Sequence, residues 1–514
     1  MIPGPGTPVG RACSVTGMLS NGQAMSTAVD SPARLAPRAR ATRRWMEKIA
    51  AVLRRHWMAA VLLTAGLTLR VLAEFAYRPA LFLDATRYLH NSGGNDPVGY
   101  EGPLRAILWV GNLDTVVAVQ HLLGLAMAVV IYLLLLRRGA PRWLAALAIA
   151  PVLLDAYELQ NEQTILPGTF FQALIVTGFA FLLWQPSTNW RRTVAGGLAL
   201  GTSAILAQVG QALILPAVIY LVVAMAGDHW RQVIGKVAAL CAAFALPILA
   251  YCTGSYLATG DFSLSHAGFT SLYGRVAAAA DCATLRLPPA ERAMCPTRAQ
   301  QAEGPDWLEY ARQSPIASYY AHMPRPEVNR MIGSFNRSVL TQQPLRVLHT
   351  YSRDVLKLYA VVRTTSPGDT PIYRWQFQTF YPYHPPNATK PTVDLVTRQF
   401  GGGAPAVWRP AAVFLRSYQL HVGYTPGPLL ALFTLAGLAG SLTALLRRRP
   451  DPRTRQLALG CLLLFTSGAG LILVSDLFEF SWRYQLPVLV TLVPAGALGI
   501  GVIIGLIRAR RSPA

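Results

Sequence analysis

Apolar runs of membrane length alternate along this chain with short polar breaks. Read against their flanking charges, they predict ten membrane-spanning helices. The runs cover residues 57–77, 115–136, 143–157 and 165–184, two short helices within 193–226, then 235–257, 427–446, 456–475 and 486–507. About 20 apolar residues in helix cross a bilayer, and lipid offers backbone groups no solvent partner, so the spans must be helical. Gln208, Gly210 and Gln211 interrupt the run at 193–226, which is why it reads as two helices. One long span there would invert everything downstream and put Arg447 to Arg455 outside, against the preference of arginine for the cytoplasmic side. The even count places both termini in the cytoplasm.

Four regions follow. Residues 1–56 are rich in Gly, Pro, Ala, Ser, Thr and Arg and read as a disordered basic cytoplasmic tail, with no cleavable signal peptide. Residues 57–257 form a first transmembrane module with a polar outer loop at 78–113. Residues 258–425 have no apolar run of membrane length and are too long for a connector, so they read as an extracytoplasmic subdomain. Residues 426–514 form a second transmembrane module with a basic tail. The fold class expected is an all-α polytopic membrane protein with a mixed outer subdomain.

Composition agrees: 53% of residues are hydrophobic and only 14% charged, unlike a soluble chain. The net charge of +22 invites a nucleic-acid partner. Its distribution argues against one. Arg54 and Arg55, Arg137 and Arg138, Arg191 and Arg192, and Arg447 to Arg449 recur at one set of helix ends, where topology and anionic headgroups account for them. Of the six cysteines, Cys282 and Cys295 lie close together in the outer segment. There an oxidising compartment favours a disulfide between them.

With this topology, polar groups from separate outer loops converge. The first loop offers Asp84, Tyr88, His90, Asp96, Tyr100 and Glu101; the second offers Asp155, Glu158 and Glu162; the last outer turn runs from Asp476 to Pro487 and contains Arg483 and Tyr484. A carboxylate can deprotonate a hydroxyl, and an arginine can hold a phosphate with a planar fork of donors. A base and a phosphate clamp on one membrane face point to group transfer from a lipid phosphate. Each residue also has a plainer reading. Asp84 is a loop aspartate, Arg483 can snorkel to headgroups, Glu158 and Glu162 can be solvated, and Arg70 can pair with Glu74 one turn on. The aromatic run Tyr373, Trp375, Phe377, Phe380, Tyr381 and Tyr383 can stack on sugars or form an interfacial belt.

Three stretches resemble a known family. They are Phe82-Leu83-Asp84-Ala85-Thr86-Arg87-Tyr88 with Asp96-Pro97-Val98-Gly99-Tyr100-Glu101-Gly102-Pro103, then Tyr157-Glu158-Leu159-Gln160-Asn161-Glu162, and Arg483-Tyr484-Gln485-Leu486-Pro487. In order and membrane side they resemble the GT-C glycosyltransferases, which include protein O-mannosyltransferases and lipid A aminoarabinose transferases. The resemblance implies a polyprenyl-phosphate-sugar donor, a glycan, lipid or protein acceptor, and an inverting transfer at the extracytoplasmic face. It implies Asp84 as catalytic base and Arg483 beside the lipid phosphate, with Tyr88, Glu158, Glu162 and Tyr484 completing the substrate site. Several families of the group carry two adjacent acids in the first loop. Here Ala85 follows Asp84, which favours a reaction without metal or other cofactor. Two other classes stay open: a transporter or flippase for a lipid-linked or polar solute, and an inactive scaffold of the same fold. A transporter should carry its polar groups near mid-membrane on broken helices.

The topology is tested by cysteine labelling in intact cells. Positions between 300 and 400 should react with an impermeant reagent from outside; protection there, with labelling from the cytoplasm, would overturn every site assigned above.

Overall fold

A computed structural model describes residues 37–82, 84–90, 99–187, 189–265, 268–385, 388–447 and 451–511. The helix α1 (Pro37–Arg55) belongs to one unit, and residues from His56 onward to another. The expectation of a wholly disordered tail is corrected at α1. Trp45, Val52 and Leu53 recur at helical spacing there, and arginines cluster toward both ends.

The second unit opens with the transmembrane helix α2 (Trp57–Ala76). Two short helices follow on the outer loop, α3 (Ala85–His90) and α4 (Glu101–Val110). Next come α5 (Leu113–Arg137), α6 (Arg142–Leu154), α7 (Ala156–Gln163), α8 (Gly168–Leu183), α9 (Trp190–Ala204), α10 (Ile214–Ala224) and α11 (Trp230–Thr259). The outer segment carries α12 (Gly268–Ala279), α13 (Arg298–Ala302), α14 (Pro305–Tyr310), α15 (Ala317–His322), α16 (Arg325–Gln342), α17 (Pro344–Lys357), α18 (Lys390–Phe400) and α19 (Arg409–His421). The chain ends on α20 (Gly427–Leu446), α21 (Pro452–Asp476) and α22 (Leu492–Arg511). Among the described residues β-structure is limited to isolated bridges.

Among the described residues, six helical segments are long and apolar enough to cross a membrane: 57–76, 113–137, 230–259, 427–446, 452–476 and 486–509. The pair α6 and α7 meets the same test jointly but bends by 49° between its halves. Asp155 causes the break. It ends α6 in an extended conformation, accepts the Tyr157 N–H at 3.0 Å as cap of α7, and pairs with Arg363. The remaining expected spans fall on the shorter apolar helix α8, the apolar stretch Gln208–Ala224 that ends in α10, and the short, less apolar α9. The run at 193–226 does divide, with its break after Ala204. Gly99 of the outer loop donates to the Ile205 carbonyl in that break at 3.0 Å. A β-carbon on Gly99 would lie 2.2 Å from the same oxygen, so only glycine permits the approach.

The long outer segment is two structures rather than the single subdomain expected. Its first part has its own core, with Tyr273 and Val276 of α12, Leu308 of α14, Ile332, Phe335 and Val339 of α16 and Val347 of α17. Its second part packs on the membrane module instead. Phe377, Ala411, Ala412 and Leu415 share a core with Ala73, Ala76 and Tyr77 at the end of α2 and with Ala156 and Leu159 of α7.

Cys282 and Cys295 are joined in a disulfide across the first part, with Cα atoms 6.0 Å apart. Closing a loop of this length stabilises the fold by about 3 kcal/mol in the chain-entropy account. Cys282→Ser should therefore lower the unfolding temperature of this part under non-reducing conditions, and reductant should have little further effect on the variant. Equal melting of the two proteins would show that the bond adds nothing to stability.

Candidate active site

The site is built on a short extended strand of chain, Tyr77 to Phe82, that follows α2. Three elements pin it. Ala80 exchanges backbone hydrogen bonds with the end of α7, donating to Gln163 O at 3.3 Å and accepting from Ile165 N at 3.1 Å. Arg78 N donates to Ala406 O at 3.1 Å, and Trp408 N donates to Ala76 O at 2.8 Å. The aromatic run holds the third side. Tyr77 stacks on Phe377 at 5.1 Å, the Tyr381 hydroxyl donates to Pro79 O at 2.8 Å, and Phe82 stacks on Trp375 at 4.5 Å. Asp84 leaves this strand half-buried, one residue before α3.

What meets Asp84 comes from the other end of the chain. Arg483 lies on the turn between α21 and α22, with its guanidinium 4.8 Å over the Trp375 ring. Burial opposes its charge; Tyr484, Asp84 and Tyr88 together offset that and hold the guanidinium firmly protonated. Asp84 and Arg483 thus share one electrostatic neighbourhood, with Arg483 seated on an aromatic floor. His384 completes the floor, its ring 4.1 Å from Phe82. Burial, with the nearby Arg374 charge, pushes His384 down to about 4, so it is neutral at physiological pH.

The structure therefore brings together Asp84, Tyr88, Arg483 and Tyr484. Tyr88 is buried, edge-on to Tyr100 at 5.4 Å, and its hydroxyl accepts from Arg87 at 3.0 Å. Tyr484 accepts from Arg483 at 3.2 Å. Behind Tyr88, a cleft of about 290 Å³ runs between Leu89, Leu104, Arg105, Leu108, Trp109 and Phe400. Its outer rim, Trp109, is 89% exposed, as a side chain facing lipid would be. Asp96 lies outside the described residues.

Glu158 and Glu162, expected to line the substrate site, are enclosed by other side chains in this structure. Both carboxylates are fully enclosed in the helical bundle. Glu158 accepts the Gln172 side-chain amide, whose nitrogen is 2.9 Å from each of its oxygens. Glu162 pairs with Arg70 at 2.5 Å and with His121 at 2.8 Å. Arg70 therefore joins a helix distant in sequence rather than Glu74, whose carboxylate faces His121 at 3.8 Å. A β-carbon at Gly124 of α5 would fall 2.0 Å from Glu162 Oε1, so that glycine makes space for the pair. The reason is physical: a helix at membrane depth must satisfy its carboxylates internally, and a periodicity argument cannot say with which partner.

The sequence reading missed Arg374, Asp306 and His384. Arg374 sits inside an aromatic run read either as a sugar-stacking surface or as an interfacial belt, and Asp306 follows Gly304-Pro305 in what looks like an ordinary helix start. Asp306 lies close enough to Asp84, Arg374 and Arg483 to feel all three charges. Among the described residues no three His, Cys, Asp or Glu side chains gather as a metal-holding group.

No family model matches the chain, and no curated protein does. Among solved structures it is similar to the S. cerevisiae protein O-mannosyltransferase Pmt1-Pmt2 complex bound to its sugar donor, with 17% identity over 43% of this chain and 36% of that one and a TM-score of 0.32. It is similar to the oligosaccharyltransferase AglB from Archaeoglobus fulgidus, with 13% identity over 89% of this chain and 52% of that one and a TM-score of 0.41. It is also similar to ArnT from Cupriavidus metallidurans bound to undecaprenyl phosphate, with 13% identity over 88% of this chain and 80% of that one and a TM-score of 0.32. The chain spans about a third of the length of the first of these and about half of the second. Protein O-mannosyltransferases are among the enzymes that the sequence resembles.

Glu162 is tested as a structural residue. Glu162→Gln leaves Arg70 buried without its counter-charge, which costs about 3–5 kcal/mol. The variant should unfold at lower temperature in detergent, while the fraction that stays folded binds ligand normally. Normal stability with weakened ligand binding would return Glu162 to the substrate site.

Proposed function

We propose that this protein is an inverting glycosyltransferase, moving a sugar from a polyprenyl-phosphate-sugar donor to an acceptor at the extracytoplasmic membrane face. One observation carries the proposal. A half-buried carboxylate, Asp84, lies within electrostatic reach of Arg483, whose guanidinium sits over the Trp375 ring, although the two come from opposite ends of the chain. The apolar cleft behind Tyr88, opening at lipid-facing Trp109, fits a prenyl chain. The acceptor belongs to the glycan, lipid or protein classes.

The chemistry follows from the placement. Arg483 binds the donor phosphate by its fork of N–H groups and stabilises the charge that grows there as the sugar departs. Trp375 and Tyr484 fix the guanidinium plane, so little reorganisation is needed during reaction. Asp84 takes the proton of the acceptor hydroxyl as the new glycosidic bond forms. Attack from the face opposite the phosphate inverts the anomeric centre. No step is routed through a metal. Against a transporter, the buried charges of the bundle, Arg70, Glu162 and His121, are bonded to one another and packed closed rather than lining a path.

The test is transfer from a polyprenyl-phosphate-sugar by purified protein. Asp84→Asn keeps the shape but removes the proton acceptor. Turnover should fall by roughly a hundredfold or more, with donor binding nearly unchanged. Arg483→Lys should lose most activity because lysine lacks the bidentate fork. Near-normal turnover in the first variant, or wild-type donor affinity in Arg483→Ala, would sink the corresponding role.

A further inference from the structure

A second groove lies on the bundle, between α6 and the start of α20, and has no part in the chemistry above. The α6 helix presents Leu147, Ala150, Pro151 and Leu154 at helical spacing on one face. Ala150 is the smallest of the four and leaves a hollow among larger side chains. Facing them stand Val422, just past α19, and Leu429 in the first turn of α20. The groove holds about 180 Å³ and shares no residue with the cleft behind Tyr88. Its helices belong to membrane-crossing segments, and Leu147 and Val422 are exposed, so in a bilayer the groove opens to lipid.

The lining turns polar where α6 stops, at Asp155, Tyr424 and Thr425. All three touch Arg363. Its Nη2 donates to Asp155 Oδ2 at 3.1 Å and to the Thr425 carbonyl at 3.4 Å. Its guanidinium is caged by the rings of Tyr157 at 4.6 Å, Trp482 at 5.3 Å and Tyr424 at 5.7 Å. The Asp155 carboxylate is fully engaged. Oδ1 accepts from the Tyr157 N–H at 3.0 Å, and Oδ2 accepts from the Thr425 N–H at 2.8 Å as well as from Arg363. The guanidinium is not. The Arg363 side chain is only 8% exposed, and its Nη1 is buried with no hydrogen-bond partner among the described residues. A buried charged donor left unpaired is costly, and folded proteins rarely leave one so.

We infer that this groove is a phospholipid site: one acyl chain lies between α6 and α20, and a phosphodiester oxygen of the headgroup accepts from Arg363 Nη1. A phospholipid fits both parts, because its chain and its phosphate are joined at the membrane boundary, as the apolar walls and the arginine are here. A guanidinium is a strong donor to phosphate oxygens. Asp155 already balances the Arg363 charge, so the headgroup beyond the phosphate is not selected by its net charge. The lipid is neither donor nor acceptor, and the inference stands apart from the transfer reaction. Its seat adjoins that machinery all the same. Trp482 of the arginine cage precedes Arg483 in the chain, and the Tyr157 hydroxyl accepts at 3.1 Å from Gln376, the residue after Trp375. A lipid held here braces the last outer turn and the aromatic segment together.

The experiment counts phosphatidylcholine on the purified full chain by native mass spectrometry during a lipid titration in detergent. A phosphatidylcholine with a diazirine in one chain maps the site by photolabelling in nanodiscs. Wild type should show one saturable lipid, with adducts concentrated on residues 147–154 and 422–429. Ala150→Trp fills the hollow without touching the Asp155–Arg363 pair, and should remove the saturable lipid and those adducts. Arg363→Lys keeps the charge beside Asp155 but loses the fork, and should weaken binding about tenfold. Phosphatidylglycerol should bind within a few-fold of phosphatidylcholine. Where Ala150→Trp fails to fold, Leu429→Trp fills the groove from the other wall and reads the same loss. A wild type that retains no saturable phospholipid overturns the inference, since water or detergent then serves Nη1. Binding and labelling unchanged in the groove-filling variant overturn it too. Displacement of the lipid by a polyprenyl methyl phosphodiester, with its own adducts on the same residues, would give the groove to the donor and sink the inference.

Discussion

The buried ion pair of Arg70 with Glu162 is the constraint on which the site depends. Neither side chain reaches solvent: Arg70 is 2% exposed and Glu162 not at all. In so dry a place an unpaired charge costs several kcal/mol, so each group fixes the other's helix. Arg70 also donates to the carbonyls of Val152 and Leu153 at the end of α6, and Gln120 of α5 donates to the Glu162 and Thr164 carbonyls. These bonds tie α2, α5, α6 and α7 together at one level. The end of α7 then templates Ala80, and the strand that carries Asp84 out of the bundle can take only one course. A residue called into the site by its sequence neighbourhood turns out to hold the site's foundation.

The outer subdomain is fastened to the membrane module by a second polar cluster. Arg275 of α12 pairs with Asp354 of α17 and donates to the Asp476 carbonyl at the end of α21 at 2.8 Å. Lys357 bridges Asp354 at 2.7 Å and Asp369 at 2.6 Å. The Tyr351 hydroxyl donates to the Leu473 carbonyl at 2.8 Å. The fastening has a chemical consequence. It brings the start of α14 within electrostatic reach of the turn after α21, so that Asp306 from the subdomain feels the charge of Arg483 from the membrane module. The site is therefore composite, with parts from the first outer loop, the subdomain, the aromatic segment and the last outer turn.

The aromatic segment has a different use from either expected one. Trp375, Phe377 and Tyr381 are buried and brace the strand after α2, while Tyr373 and Phe380 are more than half exposed. One run thus serves as wedge and surface by alternate residues. Trp375 joins the two functions, since one ring packs on Phe82 and underlies Arg483. Large rigid rings suit this work because they give much contact for little lost conformational freedom.

Sequence alone determined what lipid and water impose locally. Span positions, the break inside 193–226 and the disulfide-spaced cysteines follow from apolar run length, interrupting polar residues and neighbouring thiols, all of which act over a few residues. The nearness of Asp84 and Arg483 was legible only through a resemblance in the order of short motifs, because no local rule connects residues so far apart. Tertiary structure alone decided the rest. Arg70 has two acids within chain reach, Glu74 and Glu162, and only the packing of α2 against α6 and α7 selects the second. Asp306 is an ordinary helix-start residue until the subdomain docks and brings it within electrostatic reach of Arg374 and Arg483. A long-range pairing of charges is set by the summed packing of every helix between them, and that sum is not written at any one position in the chain.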